Sequence, residues 1–339
     1  MKLISVVDFL KTNSLNENEL PFFYSPKHEE FLSNIENKKT VLVCDTLFNS
    51  LICKTWKNKF LTLLQPMYPP LSKKGLRLNA DEEKIFLNKF VSFIKTNKLA
   101  HRITQAENFA IFQSQPDASI AAPFGTYFLN LATNTEDELF KNLHSKHRNV
   151  IRNAEKHGVI VKYGPALIED FYALYEQTMQ RSNMYCQTLN YFKEFYNYLP
   201  GNTICGVAYI NQKPEGALFI PFTQFGAFYL YGASSEKMEI NGSINFLHWN
   251  TIKLLKKKAV KRYDFVGARL SDVSGTRLEG IQQFKERFGA SLEKGVLWKK
   301  DVDKITCKLF DNLVTLKLSL KNQKPPLDII DQEIKKQNV

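Results

Sequence analysis

The residues that could do chemistry concentrate in residues 263–298. Asp264 ends a short apolar strand there, and Lys285 lies on a short predicted helix downstream. A cation held in a cleft can stabilise a developing negative charge, and a carboxylate can accept a proton or orient a substrate. Charged helix residues are mostly exposed, so Lys285 could equally be a solvated surface lysine. Asp264 could equally be a satisfied buried carboxylate that ties down the loop at Gly267.

The short helix around Lys285 carries three apolar residues with helical spacing. Ile281, Phe284 and Phe288 are three and four residues apart, which predicts that all three lie on one buried face. Gly289 suits the left-handed position that commonly follows a helix end. We therefore expect an anchored helix, followed by a strand at 291–298.

Two tyrosines upstream are candidate site residues, Tyr231 for catalysis and Tyr229 for substrate binding. Tyr229 and Tyr231 alternate onto one face of a predicted strand at 227–231 and could hydrogen-bond an activated donor. Such tyrosines more often belong to a core. His248, on the helix that follows, is expected to be structural.

Two features could hold phosphate groups. Lys146, Arg148 and Arg152 lie on one predicted basic helix, although a basic helix face is often merely solvated. Gly242 and Ser243 open a long helix, where free backbone N–H groups and the helix dipole favour an anion. This loop supplies only one glycine, which disfavours a conventional coenzyme A site.

The charge of the chain favours polyanionic partners. The formal net charge is +12 for 339 residues. Residues 141–162 contain six Lys or Arg with one acid, and residues 253–262 contain six with none. RNA, nucleotide phosphates or an anionic membrane surface would suit such clusters.

Composition indicates about two domains with ordinary cores, since 44% of the residues are apolar. The five cysteines are scattered and include no close pair, which argues against disulfides or a zinc site and fits a reducing cytoplasm. No run is long enough to span a membrane, and no convincing signal peptide is present. We expect a cytoplasmic protein without a metal.

The predicted elements describe an α/β (α+β) chain in three parts. Residues 1–130 form a first unit, in which residues 113–125 are a linker or a strand-connecting loop. Residues 131–300 begin with a helix at 135–157, capped by Thr135 and Glu138. Strand, two helices, three strands, helix, strand, helix and strand follow. Residues 301–339 form a final helix and tail, with Ile305, Leu309, Leu313 and Leu316 expected to pack back on the body.

This order of elements is the topology of the GNAT acyltransferase fold, and three stretches also resemble the FemAB family. They are residues 146–154 with Gly158, residues 231–234 leading into 246–249, and residues 263–265 with Phe284, Lys285, Phe288 and Gly289. The resemblance covers residues 125–300 well and the first unit loosely. It implies two tandem GNAT-like domains, each a mixed twisted sheet flanked by helices, plus a C-terminal helix.

The resemblance implies an enzyme that forms an amide bond by N-acyl transfer. Known members move an amino acid from aminoacyl-tRNA to a peptidoglycan precursor, and others are thought to use an acyl-CoA donor. The donor is then a co-substrate, with no permanently bound cofactor. The acceptor would be an amine on a nucleotide- or lipid-linked envelope precursor or on a surface glycan, with possible peripheral contact with an anionic membrane surface. Residues 164–202 are too few for the coiled-coil arm of many tRNA-using members, which leaves the donor open.

The resemblance also places Lys285 near the reacting carbonyl as the oxyanion-stabilising cation, with Phe284 among the substrate-binding residues. No serine or cysteine nucleophile with a matched base is apparent, so we expect direct transfer without an acyl-enzyme. Two alternatives remain. One is an acetyl-CoA-dependent N-acetyltransferase that acts on an amino sugar, and the other is a non-catalytic basic adaptor that binds RNA or a membrane surface.

Overall fold

Helices and strands are both distributed along the whole chain, which has a mixed α/β fold, as the sequence predicted. A computed structural model describes residues 1–337. The strands are β1 Lys2–Ile4, β2 Lys39–Cys44, β3 Ser50–Asn58, β4 Leu61–Pro66, β5 Arg102–Ile103, β6 Ile120–Asn130, β7 Ile160–Tyr163, β8 Thr203–Ile210, β9 Lys213–Pro221, β10 Ala227–Phe228, β11 Tyr231–Ser234, β12 Arg262–Asp264, β13 Ala268–Arg269 and β14 Ser291–Asp301. The helices are α1 Val6–Asn13, α2 Pro26–Asn34, α3 Ala80–Thr96, α4 Glu136–Asn142, α5 Ser145–Lys156, α6 Ile168–Ser182, α7 Leu189–Tyr198, α8 Ser243–Lys257, α9 Arg277–Glu286, α10 Lys304–Ser319 and α11 Ile329–Gln337.

The larger sheet runs through both halves of the chain. Its strand order is β1-β2-β3-β4-β5-β14-β6-β12-β10, and β13 pairs with β6 beside this path. β14 pairs antiparallel with β6 along most of its length and with β5 at its far end. The sheet therefore continues across residue 130, and a division of the chain into domains at that residue stays a prediction.

The smaller sheet has the order β11-β9-β8-β7 and carries helices on both faces. On one face α7 places Phe192 and Phe195 against Phe219 of β9, at ring distances of 5.2 and 5.5 Å. Phe195 also lies 5.0 Å from Phe31 of α2. Because these aromatic residues come from both halves of the chain, the two halves share one continuous core.

The third strand of the second half splits in two. β10 pairs in parallel with β12, whereas β11 pairs antiparallel with β9 in the other sheet. The chain changes sheet at Tyr229 and Leu230, so the prediction that Tyr229 and Tyr231 share one face is wrong. Tyr229 packs on His248 at 4.5 Å, and Tyr231 packs on Phe192 at 5.0 Å.

Two further predicted elements differ from the structure. The helix predicted at 135–157 is broken between α4 and α5, because Leu143 turns away with extended geometry and His144 caps the second helix. The capping box of Thr135 and Glu138 is confirmed. The predicted loop at 113–125 contains the start of β6. Its small residues fit a crowded central strand: a Cβ added to Gly125 would lie 2.6 Å from the Glu293 carbonyl oxygen.

The helix of the Phe-Lys pair is present as α9. Phe288, just beyond it, is buried, and Gly289 adopts the expected left-handed conformation with φ of +75°. Ile281 is instead exposed, so its predicted place on the buried face is wrong. Ile281 lies one turn before Phe284 in α9. The helix contacts the core around His147 and His248 only from Phe284 onward.

The C-terminal helix α10 does not bury the face predicted from its leucines. Cys307 and Phe310 face the body beside Leu61 and Leu63, while Ile305, Leu309, Leu313 and Leu316 are exposed. Arg102 selects this orientation by pairing with Asp311 at 2.6 Å. α11 packs back through buried Ile330, and residues 338 and 339 of the predicted tail lie outside the described residues. Within residues 1–337, no helix combines the length and the apolar character needed to cross a membrane.

Candidate active site

A cavity of about 200 Å³ opens where β10 and β11 separate. We call it the central cavity. The first half of the chain contributes Phe22, Phe23, His28, Leu32, Glu36, Lys54, Met67, Glu107, Asn108 and Phe109, and the second half contributes Tyr191, Phe195, Leu230, Tyr231 and Val266. Both halves therefore build its wall.

The first half places charged and polar groups in this wall. Lys54 of β3 is buried and pairs with Glu107 at 2.7 Å. The Lys54 ammonium lowers the pKa of Glu107, and Glu107 raises the pKa of Lys54 despite the opposing effect of burial. His28 lies among aromatic rings, where burial lowers its pKa to about 3, and its Nδ1 atom has no hydrogen-bond partner among the described residues. The wall thus carries an ion pair and a neutral imidazole.

Val266 lies in the cavity wall and is contacted by two of the predicted catalytic residues, Asp264 and Lys285. Its φ is +51°, which is strained for a β-branched residue. Asp264 Oδ1 accepts the Val266 N–H at 2.8 Å, and Lys285 Nζ donates to the Val266 carbonyl and, at 2.6 Å, to the Gly267 carbonyl. Asp264 and Lys285 therefore hold the same strained loop, one through a backbone N–H and the other through backbone carbonyls.

Lys285 is not a solvated surface lysine. Only 8% of the residue is exposed, so that alternative is wrong. Burial lowers its pKa to about 8, partly offset by Asp264. A lysine ammonium has three donors, and the Val266 and Gly267 carbonyls take two. Lys285 does not itself line the central cavity: the backbone of Val266 stands between them.

Asp264 is buried and fully engaged. Besides the Val266 N–H, it accepts hydrogen bonds from Thr126 at 2.5 Å and from Arg262 at 2.9 Å. Arg262 in turn stacks over the Phe128 ring at 3.7 Å and pairs with Glu293 at 2.7 Å. This geometry matches the structural alternative, a carboxylate that fixes the loop.

The two tyrosines have different surroundings. Tyr231 lines the central cavity, and its hydroxyl donates to the Tyr191 hydroxyl at 3.3 Å. Burial raises the pKa of both Tyr231 and Tyr229. Tyr229 points to the other side, toward His248, and its hydroxyl occupies the space where a Cβ on residue 232 would lie. Gly232 is therefore required for this packing.

Phe284 packs between two histidines and does not line the central cavity. Its ring lies 5.5 Å from His147 and 5.3 Å from His248. His147 Nε2 lies 3.1 Å from the Phe284 carbonyl and therefore donates to it, which ties α5 to α9. Burial lowers the pKa of His248 to about 3, so its imidazole stays neutral, as expected for a structural residue.

The basic residues of α5 belong to a different groove. Arg148 and Arg152 line a groove of about 610 Å³ together with acids and lysines of α4, α5 and α8, and Lys146 is exposed outside it. We call it the outer groove. Arg148 donates to the carbonyls of Lys141 and Leu143, which caps the end of α4, and Arg152 lies over the Phe140 ring at 5.4 Å.

The start of α8 already holds a carboxylate. Ser243 is fully buried and donates to Glu215, whose carboxylate also accepts the backbone N–H groups of Glu239 and Ile240. A Cβ on Gly242 would lie 2.3 Å from the Val150 carbonyl oxygen, so α5 also covers this end. The predicted phosphate-binding role of Gly242 and Ser243 stays a prediction that this geometry does not favour.

Three residues of the cavity wall, His28, Lys54 and Glu107, are not predicted by the sequence patterns described above. One signal was available for Lys54, because it follows the fully buried run Leu51, Ile52 and Cys53 in β3. A charge inside an apolar strand requires a partner. His28 and Glu107 had no comparable local signal. Among residues 1–337, no group of His, Cys, Asp and Glu has the arrangement of a metal site.

The match of this chain to a family model supports the class of protein that the sequence predicted, an acyltransferase. The sequence model of the FemAB family matches residues 107–215, which include Glu107, Tyr191 and Phe195 of the central cavity. This match confirms the resemblance to the FemAB family that the sequence predicted. No curated protein matches the chain in sequence.

Solved structures agree with the fold. The crystal structure of FemX superposes with a TM-score of 0.65 at 12% identity, covering 91% of this chain and 99% of that chain. The C-terminal domain (DUF2156) of a putative lysylphosphatidylglycerol synthetase from Agrobacterium fabrum gives 0.54 at 12% identity, covering 91% and 97%. L-PGS from Bacillus licheniformis gives 0.50 at 12% identity, covering 91% and 95%. At such identities these likenesses concern the fold alone.

Proposed function

We propose that this acyltransferase forms an amide bond, moving an aminoacyl or acyl group from an activated ester or thioester to an amine. The acceptor amine belongs to a cell-envelope precursor, such as that of peptidoglycan, or to a surface glycan, and the reaction takes place in the cytoplasm. The observation that carries this proposal is the central cavity. It combines residues of the FemAB-like segment with the loop held by Lys285 and Asp264.

The chemistry requires a neutral amine, an activated carbonyl and a donor for the oxyanion. The amine nitrogen bonds to the carbonyl carbon, and the bond from that carbon to the leaving oxygen or sulfur breaks. A base takes up the proton that the amine loses and passes it to the leaving group. Within residues 1–337, neither serine nor cysteine lines the central cavity. A single direct transfer is therefore preferred to a covalent acyl-enzyme.

Two acids in the cavity wall suit an amine acceptor. Glu36 and Glu107 both line the central cavity, and Lys54 keeps the pKa of Glu107 low. An ionised carboxylate beside the reacting nitrogen can orient it and receive its proton. We assign this role to Glu107, with Tyr231 as a hydrogen-bond partner of the acyl donor.

Lys285 supplies positive charge behind the Val266 loop. Two of its three donors hold the loop carbonyls, and the third remains for the oxyanion if the substrate displaces Val266 slightly. Its low pKa of about 8 leaves it mostly cationic at neutral pH. Asp264 acts as a positioning residue, since its oxygen atoms are already committed to Thr126, Arg262 and Val266.

A second candidate function differs in the donor. Residues 164–202 contain only α6 and α7 before β8, which leaves no room for a coiled-coil arm and favours a small donor such as acetyl-CoA with an amino-sugar acceptor. The carboxylate of Glu215 opposes this, because it accepts the Ser243 hydroxyl beside the start of α8 and its negative charge would repel a phosphate there.

Calorimetry with the whole chain separates these donors. Aminoacyl-tRNA should bind with an affinity that falls steeply as salt is raised, because a polyanion releases counterions on binding. Acetyl-CoA should bind with a weaker dependence on salt. Binding of acetyl-CoA alone would select the second candidate, and binding of neither donor would contradict the proposed function.

A further inference from the structure

The exposed side of α10 carries an apolar stripe. Ile305, Leu309, Leu313 and Leu316, with Leu320 just past the helix end, are between 47% and 84% exposed. They recur every three or four residues and therefore form one continuous face. The opposite face, with Cys307 and Phe310, is the one that contacts the body. α10 is thus apolar on two sides, and no element within residues 1–337 covers the outer one.

Lysines border this stripe. Residues 304–324 contain Lys304, Lys308, Lys317, Lys321 and Lys324, all exposed, and a single acid. That acid, Asp311, lies toward the other side of the helix and is paired with Arg102. None of the five lysines forms an ion pair with a carboxylate of the described chain. The stripe is therefore apolar at its centre and cationic at its borders.

A lysine-lined cavity adjoins the first turn of the stripe. Four lysines (Lys95, Lys98, Lys300 and Lys304) and two aspartates (Asp301 and Asp303) border a cavity of about 800 Å³ that also includes Ile305, so cations outnumber acids there. Burial lowers the pKa of Lys300, and the charges of Lys304 and Lys95 lower it further. Positive charge is therefore concentrated where the apolar stripe begins.

We propose that α10 docks the enzyme on an anionic lipid bilayer, with its leucine stripe among the acyl chains and its lysines at the headgroups. An exposed apolar face bordered by lysines is the pattern of helices that lie in a membrane interface. Anionic headgroups attract each nearby lysine. This inference goes beyond the proposed function, because it concerns where the enzyme sits and not what it transfers.

A second copy of the chain is a poorer occupant. The stripe extends over about two heptads, whereas a coiled coil is indicated by about three or four. Pairing two stripes would also bring the lysine borders of both copies together, and like charges at close range repel. The same borders are neutralised by an anionic surface.

Vesicle flotation of the whole chain tests the proposal. Wild type should bind vesicles of phosphatidylcholine with about 30% phosphatidylglycerol at least about tenfold more strongly than pure phosphatidylcholine. The triple variant Leu309→Ser, Leu313→Ser, Leu316→Ser should lose at least about tenfold of this binding. Changing Lys308, Lys317 and Lys321 to Gln should lose about 100-fold and flatten the salt dependence.

A matched control keeps the test specific. Leu47→Ser, Leu76→Ser and Ile160→Ser together remove three other exposed apolar side chains and should leave vesicle binding unchanged. All substituted residues are exposed, so thermal unfolding should stay near wild type and can be measured alongside. Failure of wild type to float, or flotation of the leucine variant at the wild-type level, would overturn the proposal. A dimer in sedimentation that the leucine variant converts to a monomer, without vesicle binding by wild type, would assign the stripe to a second copy.

Discussion

The central cavity and the outer groove differ in how far their charged side chains are buried and in what those side chains bind. Lys54 lies in the wall of the central cavity and is held by a carboxylate, and Lys285 lies behind the Val266 loop and is held by backbone carbonyls; both are buried. In the outer groove, Arg152 is exposed, and Arg148 caps the end of α4. Burying a charge costs free energy unless other groups compensate it. Buried charges with shifted pKa values in a cleft therefore mark a candidate functional site. This contrast favours the central cavity as the place of chemistry.

The largest expected effect comes from removing the Lys285 ammonium. Lys285→Ala should lower kcat by about 10²–10³, as loss of an oxyanion donor does, with little change in KM. Steady-state kinetics on the purified, folded variant measures this. Lys294→Ala, an exposed lysine on β14, is the matched control and should keep wild-type kinetics. Full activity of Lys285→Ala would show that the ammonium has no role in the reaction, and the assignment of chemistry to the central cavity and not to the outer groove would lose this support.

Measurements across pH should distinguish the free-energy cost of burying the Lys285 ammonium from its role in catalysis. Its pKa of about 8 in the folded state is below that of an unfolded lysine, so the unfolded chain binds the extra proton between about pH 8 and about pH 10.5. Stability should therefore increase as pH rises through this window, by about 3 kcal/mol for this residue. The rate kcat should fall in the same window because the cation is lost.

Urea unfolding and kcat measured across this range check both trends. Lys285→Met should remove the stability increase, since it has no proton to release. A parallel rise of kcat with stability would show that the neutral amine, and not the cation, is the active form.

Breaking the Lys54–Glu107 pair should have a smaller effect on stability. Lys54→Met leaves Glu107 without its partner and should cost about 1–3 kcal/mol, less than a fully buried pair because the Glu107 side chain remains 36% exposed. Chemical denaturation measures this cost. The double variant Lys54→Met, Glu107→Leu should recover part of it, because no unpaired charge remains. Activity should stay low in the double variant if Glu107 contacts the amine, whereas recovered activity would make the pair purely structural.

The smallest effects are expected in the outer groove. Arg148→Ala should cost about 1 kcal/mol of stability, because it removes the side chain that bonds the last carbonyls of α4. If the groove also binds phosphate, Arg148→Ala with Arg152→Ala should raise the KM of the acceptor and weaken its dependence on salt. An unchanged KM and salt slope would leave these arginines with structural roles alone.

Much of the fold could be predicted because periodic patterns determined it locally. Gly242 and Ser243 located the start of α8, the apolar pattern located β14 within a few residues, and the capping box of Thr135 fixed the start of α4. The break between α4 and α5 and the split of β10 from β11 could not be found in this way. Both depend on which distant strand or helix the chain meets, and periodicity carries no such information.

The candidate site could be predicted only on the side of the second half. Lys285 and Asp264 follow recognisable strand and helix patterns, and the structure brings them together around Val266. His28 and Glu107 are isolated polar residues in ordinary stretches, and only the shared core of the two halves carries them to the same cavity. The prediction for α10 was wrong because this helix has two apolar faces. Their spacing in the sequence does not reveal which face packs against the rest of the protein.

The position of β14 has a consequence for how the protein is made. This strand is synthesised late, yet it lies between β5 and β6 and joins the early strands to the rest of the sheet. During synthesis, residues 1–103 therefore wait with an open sheet edge until about 190 more residues have emerged, and pairing at such high sequence separation folds slowly. A chaperone that shields nascent strands should matter for the yield of this protein, and fragments that stop before residue 290 should aggregate.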